Sequence, residues 1–76
     1  METTGKMIWE RDGDGFHSNV EAPDGTVLLR LVVERLNHSW DWTVWNPAEP
    51  ATLVRHAVAT TVQEAMREAE AAANAL

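Results

Sequence analysis

Residues 52–66 read "TLVRHAVATTVQEAM", and the point at which this stretch changes its hydrophobic period decides the fold. Its first half supports two readings. Leu53, Arg55, Ala57 and Ala59 alternate as one side of a strand does, while Val54 and Val58, four apart, extend a helical stripe backwards. The Thr60–Thr61 pair favours a strand that gives way to a helix. Either hydroxyl can cap the first turn, with Gln63 or Glu64 three residues later completing a capping box. A short last strand over 53–59 is therefore preferred. The alternative is one long helix starting near Pro50.

Downstream, Val62, Ala65, Met66, Ala69, Ala72, Ala73 and Leu76 recur at spacings of three and four, which predicts an amphipathic helix over about 61–75. The alanines on its apolar stripe would let it lie close to a sheet. Its other face carries Gln63, Glu64, Arg67, Glu68, Glu70 and Asn74, with Arg67 three residues from both Glu64 and Glu70.

Upstream, short alternating runs are separated by turn signals. "KMIWER" (6–11) leads into "DGDG" (12–15), and "FHSNVEA" (16–22) leads into "PDG" (23–25). "TVLLRLVVERL" (26–36), rich in β-branched and apolar residues, reads as the central strand. "NHS" (37–39) turns the chain into "WDWTVWN" (40–46), and the prolines of "PAEPA" (47–51) exclude regular structure. The expected fold is α+β: an antiparallel three- to four-stranded β-meander with one C-terminal α-helix packed on one face, in a single small domain.

The stretch "HSWDWTVW" (38–45) holds three of the four tryptophans. In a strand, Trp40, Trp42 and Val44 share one side, and Asp41, Thr43 and Trp45 share the other. Trp40 and Trp42 are expected in the core beneath Met66 and Ala69. Trp45 falls on the opposite face, with Trp9 near it or at the sheet edge. A partly exposed indole suits a protein contact, because it offers large apolar area at low rotamer entropy.

Twelve acidic residues against six Lys and Arg give a net charge of −6 among 76 residues. That balance opposes binding to phosphates, which needs clustered Lys and Arg, so no direct nucleic-acid partner is expected. It suits a partner protein with a basic surface. With no cysteine there is neither a disulfide nor a thiolate metal site, which fits a reducing compartment. "METTGKMIWE" at the start lacks the basic and apolar regions of a signal peptide, and no apolar run reaches the ~20 residues of a membrane span. A cytoplasmic location is expected.

Catalytic and metal-binding patterns are missing. His17, His38 and His56 have no ligand partner at helical spacing. "DGDG" opens like a calcium loop, but Phe16 and Pro23 occupy positions that need oxygen ligands, so it reads as a hairpin turn. Ser18, Ser39 and the threonines lack the glycine-flanked context of a nucleophile. No enzyme activity and no cofactor are expected.

The second half of the chain resembles the C-terminal half of many short phage and prophage proteins. In these a W-x-W-x-V strand leads through a loop into A-x-T-x-x-E-A and an Ala/Glu-rich helix. Trp40, Trp42, Val44, Ala59, Thr61, Glu64 and Ala65 carry the likeness. In length, acidity and lack of catalytic residues the chain is similar to anti-CRISPR proteins, which disable CRISPR–Cas complexes by covering their functional surfaces. The resemblance implies an inhibitor of a type I surveillance complex in a bacterial host cell, with carboxylates standing in for DNA phosphates. Asp12, Asp14, Glu34, Glu64, Glu68 and Glu70 are the candidate charges, and Trp45 the candidate apolar anchor. The rival expectation is a small accessory module that pairs through its sheet edge or as a homodimer.

Overall fold

The computed structural model describes residues 7–76. Five strands and one helix follow in chain order: β1 (Glu10–Asp12), β2 (Gly15–Glu21), β3 (Val27–Leu36), β4 (Ser39–Asn46), β5 (Thr52–Ala59) and α1 (Val62–Asn74). Neighbours in sequence are neighbours in space, in the antiparallel order β1-β2-β3-β4-β5. The fold is α+β, with one strand more than the upper expectation of four.

The ambiguous stretch 52–59 is a strand. It pairs with β4 from Trp40↔Ala59 to Asn46↔Thr52, with a bulge at Val54. The helix starts where the threonines place it. Thr61 has extended backbone, and its Oγ1 accepts from the Glu64 backbone N–H at 3.1 Å. The Glu64 carboxylate accepts from Thr60 Oγ1 at 2.7 Å, so both hydroxyls serve this terminus.

The first strand is shorter than expected. The reading over 6–11 is corrected to β1 at Glu10–Asp12, while Lys6 lies outside the described residues. Residues 7–9 leave the ladder and take another role. Met7 and Trp9 pack against the core, and the buried Ser18 hydroxyl donates to the Ile8 carbonyl at 2.7 Å. At the hairpin, Gly13 has φ +62° and no non-glycine residue among those described has positive φ, as a type II′ turn requires.

The core lies between the sheet and α1. Leu31, Val33 and Val44 are fully buried and Trp42 nearly so, beneath Ala65, Ala69 and Ala73. The three alanines are spaced by one helical turn and keep the backbone of α1 close to β3, β4 and β5. Leu76, assigned to the apolar stripe from its spacing, is exposed because α1 ends at Asn74. No helix among the described residues is long and apolar enough to cross a membrane.

Candidate functional site

Directly paired residues share a side of the sheet and successive residues alternate, so the register assigns each side chain to a face. The inner face, beneath α1, carries Ser18, Leu31, Val33, Trp40, Trp42 and Val44. The open face carries His17 and Asn19 on β2, Arg30, Val32 and Glu34 on β3, and Asp41, Thr43 and Trp45 on β4. His56, Val58 and Leu53 continue it on β5.

The seven candidate contact residues separate into two groups. Glu34 and Trp45 lie on the open face, with Asp12 and Asp14 in the adjoining β1–β2 hairpin. Glu64, Glu68 and Glu70 lie on α1, across the sheet from them. One flat partner surface therefore cannot meet all seven at once.

On the helix, each carboxylate is held by a donor from elsewhere in the chain. Trp42 Nε1 donates to Glu68 Oε1 at 2.9 Å, Trp9 Nε1 to Glu70 Oε2 at 2.6 Å, and the Thr60 hydroxyl to Glu64. The physical reason is satisfaction of the indoles. A buried ring still needs an acceptor for its N–H, and a carboxylate at the edge of the helix supplies a charge-assisted one. Trp9 thus belongs to the helix side, next to the edge strand β1, which corrects its expected placement near Trp45 and agrees with the alternative at the sheet edge. The Glu64 carboxyl is held below its ordinary pKa, chiefly by the Thr60 hydroxyl and with a smaller contribution from the Arg67 charge. Among the described residues, no arginine comes within ion-pair distance of a carboxylate; the only such contacts involve His17.

On the open face, Trp45 is half-buried and its Nε1 donates to Thr43 Oγ1 at 3.0 Å. Leu53, paired with Trp45, is 41% exposed and Val58, paired with Asp41 at the other end of β5, is 56% exposed, so this face keeps apolar surface in water. Glu34 stands directly opposite Asp41 across β3 and β4. Such a like-charge pair costs stability unless a cation approaches it. His17 lies between Glu10 (Nε2 to Oε1, 3.4 Å) and Asp12 (Nδ1 to Oδ2, 3.6 Å). It borders a shallow depression of about 250 Å³ shared with Asn19, Arg30 and Val32. The two carboxylates address different ring nitrogens, so they do not converge on one ligand point, and no three metal-ligating side chains cluster among the described residues.

Sequence reasoning put Asp41 on the side of Trp45, as observed, but missed Arg30 as a member of this face. The signal was present. Two turn residues, Asn37 and His38, join β3 to β4, and a two-residue hairpin loop fixes every later partner, including Glu34↔Asp41 and Arg30↔Trp45. Compared with known protein families, curated proteins and solved structures, the chain matches none.

Proposed function

We propose that this chain is a non-catalytic interaction protein whose helix presents a fixed array of carboxylates to a basic partner surface. The observation that supports it is the anchoring of Glu64, Glu68 and Glu70. Each is held by an internal donor, and no arginine among the described residues forms an ion pair with any of them. Carboxylates held in place lose little rotamer freedom on binding, so more of their attraction for Lys and Arg survives as affinity. The likeness of residues 40–76 to short phage proteins, with the similarity of the whole chain to anti-CRISPR proteins in length and acidity, makes a type I CRISPR surveillance complex the partner to test first. In that setting the array occupies a groove built for DNA phosphates.

The anchoring also dictates the variant to use. Reversal to lysine would remove the acceptors of Trp9 and Trp42 together with the charge. Glu64→Gln, Glu68→Gln and Glu70→Gln combined keep an acceptor oxygen at each position and remove three charges. The expected outcome is that tagged protein recovers the complex from lysate at low salt, that target DNA competes, and that the triple variant loses binding about tenfold or more while staying folded. Equal recovery by the triple variant would rule out the helix array as the contact. No recovery at either low or moderate salt would rule out this partner.

A further inference from the structure

The open face of the sheet has its charges and apolar groups at opposite ends. Along β3 it presents Glu34, Val32 and Arg30; along β5 it presents Val58, His56 and Leu53. Two in-plane two-fold axes can bring such a face onto a second copy of itself. An axis along the strands sets Glu34 against the second copy's Glu34 and Arg30 against its Arg30, which is repulsive throughout. An axis across the strands, through Val32 and Thr43, sets Glu34 against the second copy's Arg30. The same operation sets Val58 against Leu53 and Val32 against Val32. Glu34 thus meets an opposite charge and the three aliphatic side chains meet aliphatic ones, while Asp41 falls against Trp45 and His56 against His56.

From this self-complementarity we infer that the open face binds a second copy of this chain, forming a two-fold dimer with the sheets face to face and their strands antiparallel. A C2 interface requires a patch to complement itself, and the cross-strand axis pairs Glu34 with Arg30 where an axis along β3 pairs like with like. The cost of Glu34 beside Asp41 is then offset by an arginine from across the interface. Leu53, Val58 and Trp45 lose their solvent exposure against the facing sheet.

The area is adequate. Four strands spaced about 4.8 Å, each about seven residues at about 3.3 Å, give a flat footprint on the order of 450 Å² per copy. Side chains raise the accessible area above that figure, which brings the pair close to the ~1,000 Å² of a small specific interface. Both copies of α1 face outward in this arrangement, so the dimer neither uses nor blocks the helix carboxylates, and it does not depend on the function proposed above.

Analytical ultracentrifugation of the full chain, from about 1 µM to about 500 µM, tests the dimer. Glu34→Arg and Arg30→Glu alter two exposed side chains, and circular dichroism verifies that each variant is folded. Wild type is expected to double its mass with concentration, with a blue shift of tryptophan emission as Trp45 is buried. Each single reversal should weaken association more than about tenfold, because the symmetry places two like-charge contacts in every dimer. The double variant, Glu34→Arg with Arg30→Glu, should recover it. A wild type that stays monomeric throughout overturns the proposal. So does a dimer indifferent to the single reversals, which would use another surface such as the β5 edge, and so does a folded double variant that fails to recover.

Discussion

At Gly15 a methyl group would stand 2.2 Å from the Val33 carbonyl oxygen, so β2 approaches β3 there as only a residue without a side chain allows. The obstacle is backbone, which cannot swing aside as a flexible side chain does. Gly15→Ala is expected to destabilise the fold by about 2 kcal/mol or more, read as a drop in melting temperature. An unchanged melting temperature would mean that the close approach is not maintained in solution. The four tryptophans show how far single residues are legible. Alternation alone puts Trp40 and Trp42 on one side and Trp45 on the other, as observed. It says nothing of the indole donors, because Trp42–Glu68 and Trp9–Glu70 join residues 26 and 61 positions apart.

At the scale of elements, the start of α1 is the most clearly encoded feature. Thr60, Thr61 and Glu64 satisfy the helix terminus between them, and Glu64 carries a folded-state pKa lowered from 4.5. Asp24 behaves similarly in the β2–β3 turn, its carboxyl held low chiefly by the Thr26 backbone N–H. Both groups have folded pKa values below their unfolded ones. Their contribution is therefore complete above the unfolded values of 4.5 and 3.8, and is lost as pH falls through the lower folded values. Thermal stability is expected to decline between neutral pH and about pH 3, and to decline less in a Glu64→Gln, Asp24→Asn double variant. Equal declines in variant and wild type would place the acid sensitivity elsewhere. The opposite case among elements is β1. Residues 6–11 alternate weakly and are read as a strand, yet Ser18 and Glu70 draw residues 7–9 onto the inner face instead. A competing hydrogen bond from a distant element is invisible to local periodicity.

The whole molecule has a thin core. Leu31, Val33 and Val44 are its largest fully buried side chains, and the helix contributes mainly alanines to it. Few other side chains can share the loss of one. Leu31→Ala is expected to cost about 3 kcal/mol, a large share of the ~5 kcal/mol at the lower bound for a domain of this size. Urea denaturation should show the midpoint falling sharply; a shift of a few tenths of a molar would mean that the site collapses around the deletion. The same thinness exposes the other side of the sheet. One 13-residue helix covers only one face, which leaves Trp45, Leu53 and Val58 with water or a partner.

By itself the sequence determined the meander, the β5–α1 boundary, the apolar stripe of the helix and the inward and outward sets of β4. These depend on interactions within a few residues, namely turn chemistry, capping and period. In β5, by contrast, the bulge at Val54 moves Leu53 to the face opposite Arg55, Ala57 and Ala59. Only the tertiary structure decided that the candidate acids divide between two faces, that three of them are hydrogen-bond acceptors for Trp9, Trp42 and Thr60, and that residues 7–9 cover the core. The open face lies between the two cases. Its grid follows from the hairpin registers, but its pairing of Glu34 with Asp41 and of Arg30 with Trp45 is set by the exact length of a turn. A shift of one residue in that turn would have placed Asp41 and Trp45 on the face opposite Glu34 and Arg30.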